Sequence, residues 1–286
     1  MVLTNPSVIK EIRQKFGFEF KKSFGQNFLT SERVLQDICN AAEGADGIIE
    51  IGPGFGTLTS ALAPRFEKVV AVEVDTRLPE VLEYTLAEFS NVTVIQGDCM
   101  KMNLSSLINS EFGDKKVSVA ANLPYYITTP IITMLLENRL PLEKIVVMVQ
   151  KEVAQRLCAE PGGKDYGAIS VMCKYYTEAE IVSVVPAGCF VPAPKVDSAV
   201  VAMNVRKEPP VKVKNEKCLF AVIKAAFSQR RKTLCNCLSS IFRIEKIKMS
   251  EMLTQLAIEP NRRGETLSIE EFAAISDTII SEGLFK

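Results

Sequence analysis

Histidine is absent from the 286 residues of this sequence, and its absence excludes two large classes of mechanism. Hydrolysis by a Ser-His-Asp triad and general-base catalysis by an imidazole both require a histidine side chain. Any chemistry carried out by this chain must therefore use carboxylates, amides, backbone groups or a bound cofactor.

Metal-binding cysteine patterns are missing as well. The eight cysteines are scattered without a Cys-x-x-Cys pair, and Cys235 and Cys237 are one residue apart in a helical pattern. Since there is no histidine, a zinc site would need thiolates or carboxylates alone, which this spacing does not support. We therefore expect reduced, mostly structural thiols and no bound metal.

Long apolar segments are also lacking. No run reaches the length that spans a membrane, and the first residues, MVLTNP, lack the basic and apolar regions of a signal peptide. With 47% hydrophobic and 24% charged residues, the composition is that of an ordinary soluble globular protein. These features predict a cytoplasmic protein without membrane contact.

Charge is balanced over the whole chain but not along it. Residues 27–100 contain 4 basic and 12 acidic residues, whereas residues 206–248 contain 12 basic and 3 acidic residues. Together with a second basic segment at residues 10–22, the distribution favours a polyanionic partner such as nucleic acid. A solvated helix face remains the alternative explanation for either run alone.

Strand-like and helix-like segments alternate between residues 31 and 150. Residues 48–51, 68–73, 92–96, 117–121 and 145–150 have the pattern of buried strands, with helical spacing between them. This alternation predicts an α/β fold with a mostly parallel sheet covered on both faces. Residues 180–185 and 198–205 could add an antiparallel edge hairpin. We predict one domain over residues 1–207 and a small all-α domain over residues 208–286.

A glycine-rich loop, Glu50-Ile51-Gly52-Pro53-Gly54-Phe55-Gly56, follows the first predicted strand. Glycines at such a position let the backbone approach a ligand closely. The spacing is G-x-G-x-G and differs from the dinucleotide motif, because Thr57 stands where the third glycine of G-x-G-x-x-G would fall. A glycine loop is weak evidence by itself.

Acidic residues end the next two predicted strands. Glu73 could accept both hydroxyls of a ribose, and Asp98 could accept from the amino group of adenine. Either acid could instead cap a helix, but with the glycine loop they predict an adenosine-type cofactor. NAD and S-adenosyl-L-methionine are the two candidates. The glycine spacing and the lack of an evident proton donor favour S-adenosyl-L-methionine.

The fourth predicted strand is followed by Asn122-Leu123-Pro124-Tyr125. The amide offers a carbonyl acceptor, the proline stiffens the turn, and the tyrosine offers a flat face to a planar ring. Such a set suits the exocyclic amino group of a nucleobase. A capped turn with a core tyrosine is the alternative.

Taken together, these motifs resemble the small-subunit ribosomal RNA adenine dimethyltransferase family (KsgA type). Its members use S-adenosyl-L-methionine to dimethylate the 6-amino groups of two adjacent adenines in a 3′-terminal hairpin loop. The resemblance runs from residue 21 to residue 274 and rests on residues 24–29, 50–56, 73, 97–98, 122–125, 150–153, 190–198 and 227–234. It implies a Rossmann-like class I methyltransferase sheet.

The resemblance also implies roles for particular residues. Cofactor contacts are implied for Asn27, Leu29, Gly52, Gly54, Glu73, Asp98 and Asn122. A catalytic site is implied for Asn122, Leu123, Pro124, Tyr125 and Phe190, in which the two aromatic rings would bracket the target adenine. RNA contacts are expected at Lys21, Lys22, Arg230, Arg231 and Lys232. The expected partner is small-subunit ribosomal RNA within an immature 30S-type particle, and the expected state is a monomer.

Two alternatives remain open on the sequence. A sister family that methylates large-subunit RNA and confers macrolide resistance shares the motifs at residues 122–125 and 190–194. The segment Arg262-Arg263-Gly264-Glu265-Thr266-Leu267-Ser268, with Glu271-Phe272, resembles the small-subunit enzymes instead. A mainly non-catalytic assembly factor of the small subunit is the second alternative. Cys235 departs from the family, since a basic residue is expected there.

Overall fold

The computed structural model describes residues 1–19, 27–229 and 231–285. The chain divides into two compact units, which we call the sheet unit (Met1–Ala154 with Ala179–Val205) and the helical unit (Gln155–Glu178 with Arg206–Lys286). The predicted domains differ from these units in residues 155–178 and in residues 206–207. Val171 and Tyr175 from the first segment are buried in one apolar cluster with Cys218 and Leu219, a long-range contact that sequence order does not reveal.

The strands are β1 (Phe28–Leu29), β2 (Gly47–Ile51), β3 (Lys68–Glu73), β4 (Val92–Gln96), β5 (Val117–Asn122), β6 (Leu142–Gln150), β7 (Thr177–Val185), β8 (Phe190–Val191) and β9 (Ser198–Val205). The helices in the described ranges are α1 (Pro6–Lys15), α2 (Glu32–Ala42), α3 (Thr57–Leu62), α4 (Pro79–Thr85), α5 (Leu104–Phe112), α6 (Thr128–Glu137), α7 (Lys151–Leu157), α8 (Ala168–Tyr176), α9 (Glu216–Ala226), α10 (Leu234–Phe242), α11 (Lys246–Gln255) and α12 (Ile269–Ser281).

The central sheet has seven strands in the order β4-β3-β2-β5-β6-β9-β7. The first five strands in this order pair in parallel, and β9 pairs antiparallel to β6. This arrangement confirms the predicted α/β fold with a mostly parallel sheet and an antiparallel edge.

The strand register brings several loops to one edge of the sheet. Ile51 lies opposite both Val72 and Ala121, and Glu73 lies opposite Gln96. The chain therefore leaves β2, β3, β4 and β5 at nearly the same level, which is the edge where open α/β sheets bind ligands.

Helices cover both faces of the sheet. All five residues of β2 are buried, as expected for a parallel strand packed on two sides. On one side, Val34 and Ile38 of α2 pack with Ile48 and Val146 of the sheet. A separate cluster joins α1 and α4 around Phe55. Burying a side chain such as Ile38 contributes about 1.5–3 kcal/mol, so the sheet edge rests on a well-packed base.

The helical unit is built around α9 and α12. Ser268 and Glu271 form a reciprocal capping box at the start of α12, and the Glu271 carboxylate also pairs with the Arg262 guanidinium. Gly264 packs tightly against the end of α9, because an added Cβ would lie 2.7 Å from the Ala226 carbonyl oxygen. The segment that resembles the small-subunit enzymes is thus an internal brace of this unit.

Within the described residues, no helix combines the length and the apolar character needed to cross a lipid bilayer.

Candidate active site

A cavity of about 230 Å³ lies at the edge of the sheet where β2 to β5 end. Every residue predicted from the sequence to contact the cofactor or the target base lines it: Asn27, Leu29, Gly52, Gly54, Glu73, Asp98, Asn122, Leu123, Pro124, Tyr125 and Phe190. The structure therefore brings the two predicted groups together, while their individual roles stay predictions. We call Glu50, Glu73 and Asp98 the acidic set, and Asn122, Tyr125 and Phe190 the amide-aromatic set.

The glycine loop follows β2 with its backbone in a conformation that requires glycine. Gly52 and Gly54 have φ values of 72° and 60°, in the left-handed region that side chains disfavour. At Gly54, an added Cβ would also lie 3.0 Å from the Phe28 ring. The loop therefore presents bare backbone to the cavity.

Glu73 is fixed at the end of β3 by two backbone donors. Its Oε2 accepts from the Gly54 amide at 3.2 Å, and its Oε1 accepts from the Asp75 amide at 2.8 Å. Burial raises the pKa of this carboxyl above its ordinary value. Because each carboxylate oxygen has a further lone pair, Glu73 can still accept two hydroxyl donors from a ligand.

Glu50, which the sequence reasoning did not single out, is the most deeply buried acid of the cavity. It is 1% exposed, and its Oε2 has no hydrogen-bond partner among the described residues. Burial, with a smaller contribution from the charge of Glu73, raises the pKa of Glu50 from 4.5 to about 8. An unpaired buried carboxyl is costly unless a ligand completes it, so this position fits a cationic group. An acid in the middle of an apolar strand was the available signal.

Asp98 stabilises the turn that follows β4 and also lines the cavity. Its Oδ1 accepts from the Met100 amide at 3.0 Å, and its Oδ2 lies 3.5 Å from the exposed Lys101 ammonium. Exposed ion pairs of this kind contribute little to stability. The carboxylate lines the cavity beside Cys99, where it can accept from an amino group.

The orientation of the Asn122 amide is set by a distant segment. Its Nδ2 donates to the Asn27 carbonyl oxygen at 3.0 Å, across 95 residues of sequence. Because the amino end of the amide is bonded there, the carbonyl oxygen Oδ1 is the atom that can accept from a ligand in the cavity.

The next two residues form a rigid turn. The Leu123 amide donates to the Met148 carbonyl at 3.2 Å. The Pro124 carbonyl accepts from the Ile127 amide and from the Thr128 hydroxyl, each at 3.1 Å. These bonds hold the turn that leads to Tyr125.

Two aromatic rings line the cavity from separate segments. The Tyr125 hydroxyl shares a hydrogen bond of 2.9 Å with the Ser198 hydroxyl, and burial raises the pKa of the phenol. Phe190 is 3% exposed and lies in β8, opposite Leu29 of β1. The two-residue strands β1 and β8 were not predicted, because such short segments have no recognisable periodicity.

Tyr126 and Met100 are among the lining residues that the sequence did not predict. Tyr126 is 60% exposed and follows the amide-aromatic turn, and Met100 follows Asp98. Tyr126 stands next to the motif at residues 122–125, which was the signal available for it.

Two of the predicted RNA-contacting residues, Arg231 and Lys232, belong to the part of the chain that the structure describes. Lys21, Lys22 and Arg230 fall outside the described residues. Arg231 and Lys232 are exposed in the helical unit, just before α10. In the described ranges, no group of three or more His, Cys, Asp or Glu residues could hold a metal ion, and the eight cysteines form no disulfide bond.

Comparisons with known proteins agree on one family. The model of the family described as ribosomal RNA adenine dimethylase matches residues 17–280. A protein of Geobacillus sp. (strain WCH70), named ribosomal RNA small subunit methyltransferase A, is 50% identical over 283 residues, covering 97% of each chain. A protein of the same name from Bacillus mycoides (strain KBAB4) is 50% identical over 284 residues, with the same coverage.

Two solved structures share the fold. A dimethyladenosine transferase from Plasmodium falciparum has a TM-score of 0.76 at 24% identity, covering 89% of this chain and 98% of that one. The 23S rRNA methyltransferase ErmE has a TM-score of 0.66 at 24% identity, covering 87% of this chain and 98% of that one. At this identity, the likeness concerns the fold alone.

Proposed function

This chain belongs to the ribosomal RNA adenine dimethylase family, and we propose how its cavity performs the reaction. The chain is a ribosomal RNA adenine dimethyltransferase that uses S-adenosyl-L-methionine and acts on the small-subunit RNA. The observation that carries the mechanism is the Asn122 amide, which is held by Asn27 in the cavity that Glu73 also lines.

The acidic set fits the groups that distinguish S-adenosyl-L-methionine. The unpaired Oε2 of Glu50 suits the positively charged amino group, Glu73 suits the ribose hydroxyls, and Asp98 suits the adenine amino group. When bound, the cofactor supplies an electrophilic sulfonium methyl group. Each charge-assisted bond from these carboxylates contributes about 1.5–3 kcal/mol. The backbone of the glycine loop and residues 27–29 complete the binding site.

Asn122 and Leu123 prepare the target amino group for attack. The lone pair of that group is delocalised into the adenine ring, so the nitrogen is a poor nucleophile until it becomes pyramidal. The Asn122 Oδ1 and the Leu123 carbonyl oxygen accept the two amino hydrogens and localise the lone pair. Pro124 cannot donate a hydrogen bond and helps to fix the Leu123 carbonyl.

No strong base is needed for this step. The alkylated amine becomes acidic enough to release its proton to water, which agrees with a chain that has no histidine. Catalysis then consists of positioning and electrostatic stabilisation. For the second transfer, the amine with one remaining hydrogen must return to the same acceptors.

Tyr125 and Phe190 hold the target base itself. Extruding an adenine from its loop costs a few kcal/mol, and stacking on an aromatic ring returns about 1–3 kcal/mol per base. Two rings at the cavity can therefore offset much of the cost. Phosphate contacts from the basic residues at 230–232 would supply the remainder.

We place the reaction in the cytoplasm on an immature 30S-type particle, with the chain acting as a monomer. The brace formed by Arg262, Gly264 and Glu271 belongs to the segment that resembles the small-subunit enzymes. The relatives that are 50% identical carry the small-subunit name.

The direct test is the transfer of labelled methyl groups from S-adenosyl-L-methionine. Immature small subunits, naked small-subunit RNA and large-subunit RNA are compared, and the products are identified by mass spectrometry. We expect two adjacent dimethyladenines in the small-subunit RNA, formed most efficiently in the particle. Label on large-subunit RNA would favour the macrolide-resistance activity, and binding without any transfer would favour a non-catalytic assembly factor.

A further inference from the structure

Thr30, in the amino-terminal segment, is hydrogen-bonded to the loop that precedes Phe190. The Thr30 amide and the Thr30 hydroxyl both donate to the Cys189 carbonyl oxygen, at 2.8 Å and 2.9 Å. The Cys189 carbonyl belongs to the peptide bond that leads into Phe190. Thr30 therefore holds the backbone directly next to Phe190, although 159 positions separate Thr30 from Cys189.

The pairing of β1 with β8 adds a second contact between the same two segments. Leu29 lies opposite Phe190, and Phe28 lies opposite Val191, in an antiparallel ladder of only two residues per strand. A ladder so short supplies few hydrogen bonds of its own, and two-stranded ribbons are marginally stable alone. The extra donor from the Thr30 hydroxyl is thus a substantial part of what closes this contact.

The same short segment also holds the amide that accepts the target amino group. Asn27 accepts from the Asn122 amide through its carbonyl, and Asn27 and Leu29 line the cavity. Residues 27–30 consequently contact both groups that are proposed to hold the target adenine. Asn27 bonds the Asn122 amide, and Leu29 pairs with Phe190. The hydroxyl of Thr30 itself is not among the atoms that line the cavity.

We infer that Thr30 is a positioning residue for the target base, whose hydroxyl sets the place of Phe190 relative to Asn122. This inference rests on the proposed function, because it assumes that Phe190 stacks on an adenine. Because Thr30 is not among the residues that line the cavity, we expect no contact between its hydroxyl and the cofactor. Its loss should therefore affect the RNA substrate and leave the cofactor dissociation constant unchanged.

The variant Thr30→Val tests this inference because valine keeps the side-chain shape and the backbone amide but removes the hydroxyl donor. Loss of one hydrogen bond predicts a decrease of about 2- to 10-fold in kcat/KM for immature small subunits. Thr30→Ser retains the hydroxyl and should restore the activity. Thr254→Val is the matched control, because the Thr254 hydroxyl donates to the Ser250 carbonyl at 2.8 Å in the helical unit.

A double-mutant cycle with Phe190→Leu separates positioning from general stability. If Thr30 acts through Phe190, adding Thr30→Val to Phe190→Leu should cause little further loss of kcat/KM. Additive losses of kcat/KM in the double variant would overturn the inference. So would a loss of kcat/KM in both Thr30→Val and Thr30→Ser that parallels a lower melting temperature.

The outcomes also distinguish this inference from the proposed function. A wild-type protein that transfers no methyl group to any RNA would remove the proposed function and the inference with it. A wild-type protein that is active, with Thr30→Val equally active on immature small subunits, would overturn the inference alone.

Discussion

The acidic set and the amide-aromatic set line one cavity but are held in different ways. Glu73 and Asp98 each accept from a backbone amide two residues further along the chain, and Glu73 also accepts from the Gly54 amide in the glycine loop. Asn122 and Tyr125 are instead held by partners 95 and 73 residues away. Glu73 and Asp98 are thus fixed by amides of their own strand ends and of the adjacent glycine loop, whereas Asn122 and Tyr125 take up their positions only when segments distant in sequence pack against them.

This difference predicts that the two sets contribute to different steps of the reaction. Changes in the acidic set should weaken cofactor binding, and changes in the amide-aromatic set should slow methyl transfer at saturating cofactor.

Asn122→Ala should give the largest effect. Removal of a positioned hydrogen-bonding group from a transition state costs about 10²- to 10³-fold in rate. The measurement is single-turnover methyl transfer with saturating S-adenosyl-L-methionine. Asn103→Ala serves as the control, since Asn103 caps α5, does not line the cavity and should affect stability only. An Asn122→Ala variant with full activity would remove the proposed role of the amide.

Glu73→Gln should act on the cofactor. Losing charge-assisted bonds of about 1.5–3 kcal/mol predicts a 10- to 100-fold rise in the cofactor Kd. Isothermal titration calorimetry measures this Kd, and a thermal melt of the free variant checks that the Gly54 and Asp75 amides still support the fold. An unchanged Kd would mean that Glu73 serves the loop and not a ribose.

Phe190→Leu should act on the target base. Leucine keeps the apolar packing of β8 but loses the ring, so we expect a loss near the lower end of the stacking range, about 1 kcal/mol or fivefold in kcat/KM for the RNA. Phe242→Leu, in the helical unit, is the aromatic control. Equal effects of the two substitutions would argue against stacking at Phe190.

Glu50 should make the stability of the cofactor-free protein depend on pH. Its pKa is raised from 4.5 to about 8, so between these values the folded state keeps a proton that the unfolded state has lost. The free energy of unfolding should therefore fall as the pH rises through this range. Glu50→Gln should flatten the decline in melting temperature, with a residual slope because the pKa of Glu73 is also raised. An unchanged slope would show that Glu50 ionises normally.

Neutralising Arg231 and Lys232 should leave both sets intact. If these side chains contact phosphates, the slope of log K against log salt should decrease by about 0.7–0.9 for each lost contact. RNA binding measured over a salt series tests this, with cofactor Kd expected to stay the same. An unchanged slope would identify the two residues as part of a solvated surface.

The different origins of the two sets explain what the sequence could predict. Glu73 and Asp98 follow strands with clear periodicity, and parallel strands end at one edge, so their convergence was predictable. Residues 122–125 were recognised by the same logic. The pairing of Leu29 with Phe190 was not, because it joins two-residue strands with no pattern of their own. Glu50 was passed over as part of a motif, and its burial depends on the helices on both faces. The grouping of residues 155–178 with the helical unit likewise comes from packing at Val171 and Tyr175.

Single-turnover methyl transfer over a series of cofactor concentrations tests this difference between the two sets most directly, because it yields the cofactor Kd and the maximal rate together. Applied to Glu73→Gln and Phe190→Leu on immature small subunits at subsaturating RNA, it should show a raised Kd with a near-normal maximal rate for the first. The second should show a normal Kd with a lower maximal rate. If both variants raised the cofactor Kd and lowered the maximal rate to the same extent, the account would be contradicted.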